Sequence, residues 1–166
     1  MKQTNYEVDK PDSYFKKIVH ADGGSFTEPP KYRPHDAYFV VVDTTGNYIK
    51  FNRDLGNLWS GLAEYESIKW CVENIKERPL KIYNDCITAM AWARKGSSET
   101  SKFRVSPLNL EDVTLWHLSN NLADQWIDAN HSPKESKEFY IKRHRDICGV
   151  RGHLCRKRDK SPPLFA

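Results

Sequence analysis

No run of about 18 consecutive apolar residues occurs in this 166-residue chain, so no membrane-spanning helix is expected. The N-terminal stretch MKQTNYEVDKPDSYFKK has no apolar segment of the kind that forms a secretory leader. Cysteine is scarce. Cys71, Cys86, Cys148 and Cys155 show no disulfide-framework spacing, and a reducing, cytoplasmic setting is the expectation. Disorder is not indicated either, since charged residues make up 29%, hydrophobic ones 39% and aromatics 12%. That is the profile of an ordinary soluble domain, long enough to bury one core.

What the chain does have is charge of one sign gathered at one end. The formal net charge is +4, yet residues 142–160 (KRHRDICGVRGHLCRKRDK) hold eight Lys/Arg against two Asp. The remaining residues therefore sum to −2. A basic segment on a mildly acidic body suits a polyanionic partner such as nucleic acid, although a solvated tail has the same composition.

Along the chain, residues 1–12 read as a lead-in ending near Pro11, residues 13–157 as one domain and 158–166 as a tail. YFKKIVHA (14–21) reads as a strand stopped by Asp22-Gly23-Gly24-Ser25, and SFTEPPKYRPHD as a loop carrying three prolines. AYFVVVD (37–43) is rich in Val and aromatics, Thr44-Thr45-Gly46-Asn47 makes a turn, and YIKFNR (48–53) alternates as a paired strand should.

Leu62, Tyr65, Ile68, Val72 and Ile75 then recur at spacings of three and four, a core-facing helical stripe with Ser60 as N-cap and Pro79 at the exit. Glu64 falls on the margin of that stripe, and Glu66 lies further round towards solvent. LKIYND (80–85) reads as a short strand, and ITAMAWARK as a helix closed by Gly96. Asn109 is expected to cap a longer helix with Leu115, Leu118, Leu122, Trp126 and Ala129 inward, and EFYIKRH (138–144) to be the last strand. The order is βββαβααβ, an α/β chain with a mixed sheet of five strands flanked by helices.

Three segments resemble the core motifs of the type 1 ribonuclease H family: IVHADGGS (18–25), LAEYESI (62–68) and IYNDCITAMAWARKG (82–96). In that family a strand ends in Asp-Gly-(Gly/Ser), a helix opens with Ala-Glu-Tyr, and a strand ends in an Asp-Ser pair. YIKRHRDICGVRGHLCRK (140–157) is similar to the family's closing segment, so the resemblance runs from about residue 14 to 157. It implies a ribonuclease H-like fold and a metal-dependent endonuclease that cuts the RNA strand of RNA/DNA hybrids, leaving 5′-phosphate and 3′-hydroxyl ends.

The chemistry accounts for acids at those places. Phosphodiester hydrolysis needs an activated water and a stabilised leaving oxygen, which two divalent ions about 4 Å apart provide together. Mg²⁺ prefers carboxylate oxygen and water, so several Asp or Glu must converge, and Mn²⁺ is expected to substitute. The resemblance implies Asp22, Glu64 and Asp85 as catalytic metal ligands, with Asp22 bridging the ions. Asp43 also ends an apolar strand, but Asp43-Thr44-Thr45-Gly46 has the composition of a hairpin turn in which Asp bonds its own backbone.

At the fourth position the chain departs from its relatives, which place an Asp after the last strand. Laid against that pattern without gaps, the closing segment puts His153 there, able as a neutral imidazole to ligate a metal or move protons. Asp146, just after the expected last strand, is the rival. Asn121-Leu122-Ala123-Asp124 imitates the family's last motif but precedes the expected final strand, and Asp124 is set aside on that ground. His144 corresponds either to the mobile histidine of the relatives or to an ordinary surface residue.

Other departures bear on substrate contact. Cys86 stands where serine is common, and Trp59-Ser60-Gly61 replaces a Thr-Asn-Asn run that reads the RNA strand in relatives. Contact is expected from Gly23, Ser60 and Gly61 on one side and from Lys142, Arg143, Arg145 and Arg151 on the phosphates of the other strand, with Trp92 and Arg94 as further candidates. A monomer is expected. The alternatives are a non-catalytic nucleic-acid-binding module, a superfamily nuclease acting on DNA, and a zinc site from His144, Cys148, His153 and Cys155, whose spacing is irregular.

Overall fold

The computed structural model describes residues 9–28, 31–98 and 101–131. Within them lie five strands and three helices: β1 (Lys17–Glu28), β2 (Arg33–Asp43), β3 (Ile49–Asn52), α1 (Ser60–Asn74), β4 (Leu80–Asn84), α2 (Ile87–Lys95), β5 (Val113–His117) and α3 (Leu122–Asn130). A single 3₁₀ turn, Asp12–Tyr14, precedes β1. The strands form one sheet in the order β3-β2-β1-β4-β5. β1, β4 and β5 run parallel, and β2 is antiparallel to both of its neighbours. The five-stranded mixed sheet flanked by helices is the fold class the sequence implied. No helix among the described residues is long and apolar enough to cross a membrane.

Alternation along the strands divides the core in two. Val19 and Ala21 of β1, Phe39 and Val41 of β2, Leu80 and Ile82 of β4, and Val113 and Leu115 of β5 face α1 and α2. Val40 and Val42 of β2 point the other way and pack on Ala123 and Ile127 of α3. In α1 the buried residues are Ala63, Glu64, Tyr65, Ser67, Ile68 and Cys71, so the inward face is centred on Glu64, Ile68 and Cys71. Leu62 and Val72, expected inside, are half-buried.

Several expectations are corrected. β1 does not stop at Asp22: Asp22, Gly23 and Gly24 stay in register with Val40, Phe39 and Tyr38, and the pairing resumes past a bulge at Phe26↔His35. Much of the stretch read as a proline-rich loop is therefore the far end of a hairpin. Pro34 fits because β3 pairs only with Phe39 to Val42, so that among the described residues no strand pairs with the outer side of β2 at Pro34. Ser60 is the first residue of α1 rather than its cap, a position held by Trp59 with no side-chain cap bond.

The largest correction concerns residues 109–129. They do not form one helix. Val113 to His117 pair in parallel with Leu80 to Asn84 as β5, a short β-branched and aromatic run suited to a sheet. Asn109 accepts the amide of Glu111 at 3.2 Å, an Asx turn, and Asp112 with φ 56° completes the approach to β5. The helix starts only at Leu122, capped by Asn121. Among the described residues the order is thus βββαβαβα, and β5 fills the place expected of residues 138–144, which lie outside the described residues.

Candidate active site

The carboxyl ends of parallel strands are where open α/β sheets bind ligands, and here the ends of β4 and β5 meet the middle of β1 beside the start of α3. Asp22 lies within β1, opposite Val40 and so on the side of the sheet that α3 covers. Asp85 follows the last residue of β4. The link from β5 to α3 is only Leu118 to Asn121, with Asn120 at φ 52°, so α3 must begin next to the end of β4. That places Asp124 in the first turn of α3.

The three side chains converge. Asp22, Asp85 and Asp124 each offer a carboxylate oxygen, all within 4.8 Å of one another. Asp22 is buried and the other two are half-buried, so the cluster opens to solvent. Asp124 accordingly joins the two strand acids, against the expectation that set it aside. The ground for that expectation, one long helix ahead of a later strand, does not hold. His153 and its rival Asp146 lie outside the described residues, as do His144, Lys142, Arg143, Arg145, Arg151 and the four residues of the possible zinc site.

Glu64 approaches from the other side of the sheet. Its Oε1 accepts the backbone amide of Gly23, and it is hydrogen-bonded to Asp85 and Asp22. Burial holds its carboxyl well above the usual carboxylate range, reinforced by the charge of Asp22 and then by Asp85. Glu66, one turn-edge away, is half-buried and outside this group. Asp43 behaves as a turn residue: its Oδ1 accepts the amide and hydroxyl of Thr45 and the amide of Asn47, and Lys17 lies 3.6 Å from Oδ2.

Gly23 has no room for a side chain. A Cβ there would meet the Ala63 carbonyl carbon at 2.5 Å and the Glu64 nitrogen at 2.7 Å. This close crossing of β1 and α1 brings Glu64 to the acids. Ser60 is exposed at the start of α1, and Gly61 faces the Trp92 ring. Trp92 packs on the core and on Phe103, and Arg94 donates to the carbonyl of Leu115 at 3.0 Å. Cys86 caps α2 through Sγ, which accepts the amide of Ala89 at 3.4 Å.

Behind the cluster, His20 Nδ1 accepts the amide of Leu122 at 3.0 Å, tying β1 to the first residue of α3. Burial, with Lys81 nearby, lowers the His20 pKa to about 4, so the imidazole is neutral and free to accept. A local signal for this placement is in the sequence, in the same Asn121 to Asp124 stretch set aside above. Asn121 caps the helix, an acid follows three residues later, and a β-prone pentad lies just upstream.

The donor set fits a hard divalent cation. All donors are carboxylate oxygens, three within 4.8 Å of one another, with Asp85 and Asp124 only half-buried. No family model matches the chain, and no curated protein matches it. Among solved structures it is similar to the foamy viral protease-reverse transcriptase in complex with dsDNA, at 15% identity and a TM-score of 0.49, over 79% of this chain and 93% of that one. It is similar to LC11-RNase H1 in complex with RNA/DNA hybrid, at 17% identity and a TM-score of 0.43, over 66% and 92%. A second structure of LC11-RNase H1, isolated from compost by a metagenomic approach, matches at 16% identity and a TM-score of 0.44, over 77% and 97%.

Proposed function

We propose that the chain is a metal-dependent endonuclease that hydrolyses the RNA strand of RNA/DNA hybrids, with Asp22, Glu64, Asp85 and Asp124 as its acidic centre. The observation that supports it is the convergence of Asp22, Asp85 and Asp124 within 4.8 Å, with Glu64 bonded to the first two. Three of these four acids stand in the motifs that resemble ribonuclease H. Asp124 replaces His153 as the fourth group in this reading.

Asp22, Asp85 and Asp124 would hold Mg²⁺ or Mn²⁺, and Glu64 would complete the set. When bound, the ions supply an activated water and stabilise the leaving 3′ oxygen of the scissile bond. The protein's own part is to gather the charge and keep it in place. Gly23 fixes Glu64 by its amide, and the β1–α1 crossing keeps bulk away from that side. The exposed Ser60 and half-buried Gly61 lie on the chain just before Glu64, where a 2′-hydroxyl in a wide minor groove would be met.

The test is cleavage of a hybrid with Mg²⁺ or Mn²⁺, beside duplex DNA and duplex RNA, for wild type and Asp85→Asn. The expected result is cuts in the RNA strand of the hybrid only, with 5′-phosphate ends, abolished by Asp85→Asn. Equal cutting of duplex DNA would make it a DNA nuclease; binding without cutting would make it a binding module.

A further inference from the structure

The β1–β4 ladder ends at His20↔Tyr83. The next carbonyl of β1, that of Ala21, instead receives two side-chain amides, Nδ2 of Asn84 at 3.1 Å and Nδ2 of Asn121 at 3.4 Å. Both asparagines are sealed from solvent, at 0% and 1% exposure. A carbonyl oxygen has two lone pairs, so both donors can be accepted.

The other end of each carboxamide is also occupied. Asn84 Oδ1 accepts the amide of Cys86 at 2.8 Å, immediately after Asp85. Asn121 Oδ1 accepts the amides of Ala123 and Asp124 at 3.0 and 3.1 Å. Leu118 closes the circuit, its amide donating to the Asn84 carbonyl at 2.9 Å and its own carbonyl 3.4 Å from Asn121 Nδ2. Ala21 immediately precedes Asp22. The same carbonyl thus links all three acids: Asp22 follows it directly, Asp85 follows Asn84, and the amide of Asp124 is held by Asn121.

We propose that Asn84 and Asn121 are positioning residues that act through the Ala21 carbonyl to hold Asp22, Asp85 and Asp124 at ion-binding spacing before an ion arrives. The proposal rests on reading the cluster as a divalent-ion site. Like charges this close repel, and the end of β4 and the short β5–α3 turn would yield to that repulsion if nothing bound them to β1. Asparagine suits the task because it donates and accepts from one planar, uncharged group. Aspartate would add a further negative charge, and an apolar residue would strip buried amides and the Ala21 carbonyl of their partners.

The experiment is calorimetric titration of the full chain with Mn²⁺, alongside thermal unfolding in chelator, for wild type, Asn121→Ser, Asn84→Ser, Ile127→Val and Asp22→Asn. Serine at 121 retains a capping hydroxyl but loses the amide that reaches Ala21. Both asparagine variants are expected to bind Mn²⁺ about tenfold or more weakly, as losses behind metal ligands do. Ile127→Val, which loosens the packing of the same helix, is expected to bind as wild type. Wild-type affinity in both serine variants, whatever their melting temperature, would overturn the proposal and leave the asparagines as structural bonds. If wild type takes up no Mn²⁺, or Asp22→Asn takes it up unchanged, the ion-site reading itself fails and this proposal falls with it.

Discussion

The amide of Gly23, in the middle of β1, donates to Oε1 of Glu64 in the first turn and a half of α1, 41 residues away. That bond exists because the two backbones nearly touch: the space a Cβ would need at Gly23 is filled by the main chain of Ala63 and Glu64. The same contact thus sets how close α1 lies to the sheet and where a buried carboxyl ends.

A side chain at position 23 should therefore be costly in a way that one at position 24 is not. At Gly24 a Cβ would meet the hydroxyl end of Tyr38, 2.6 Å away, the far end of a side chain rather than main chain. Gly23→Ala is expected to lose about 1–3 kcal/mol in urea unfolding, the usual cost of overpacking against atoms that cannot move aside. Hybrid cleavage should fall with it, because Glu64 moves with α1. Gly24→Ala should lose visibly less of both.

Charge crowding yields a second expectation. Glu64 is buried against Asp22 and Asp85, an arrangement unfavourable without a cation. Glu64→Gln keeps an oxygen for the Gly23 amide and removes a carboxyl from the crowd. Thermal unfolding in chelator at neutral pH should show the variant more stable by roughly 0.5–2 kcal/mol, while cleavage is lost, the usual opposition of stability and function at a site. A variant less stable than wild type in chelator would mean that the carboxyl is favourably bonded there without an ion.

Much of this site could be read before any coordinates, because three of its acids are fixed by strong local signals. Asp22 follows the Val- and Ile-bearing first half of β1, Asp85 follows β4, and Glu64 sits on an amphipathic helix. What escaped reading was set by non-local pairing. Gly23-Gly24 looks like a stop, yet it continues β1 because β2 supplies a partner for each residue. Leu115, Leu118 and Leu122 fall at helical spacing by coincidence, while the actual constraint on Val113 to His117 is the ladder offered by β4. Asp124 was hidden by that same coincidence, since its place depends on where the helix starts.

Asp124 and His153 can be told apart directly. If Asp124 is the fourth group, Asp124→Asn should lower hybrid cleavage at least about a hundredfold and weaken Mn²⁺ binding, since even partners behind a ligand account for ten- to a hundredfold. The amide retains the volume of the carboxyl, so the variant should still fold, with melting in chelator as the check. His153→Ala should leave both cleavage and Mn²⁺ affinity near wild type. The reverse pattern, loss with His153→Ala and none with Asp124→Asn, would return the role to the histidine.

Asp43 supplies the pH dependence. Burial alone would raise its carboxyl, but hydrogen bonds from Thr45, the neighbouring backbone and Asn47, together with Lys17, bring it below its usual 3.8. Between the lowered value and 3.8 the unfolded chain binds the extra proton, so this stabilisation is complete above about pH 4 and is lost as pH falls through the lowered value. Asp43→Asn retains an oxygen for the turn amides but gives up the charge facing Lys17. At pH 7 it should be less stable than wild type by up to about 1 kcal/mol, the scale of a partly exposed ion pair. Urea midpoints at pH 7 and pH 3 measure the difference, which should narrow in acid because wild type loses there what the variant never had. A gap that stays constant would place the contribution of Asp43 in its hydrogen bonds rather than its charge.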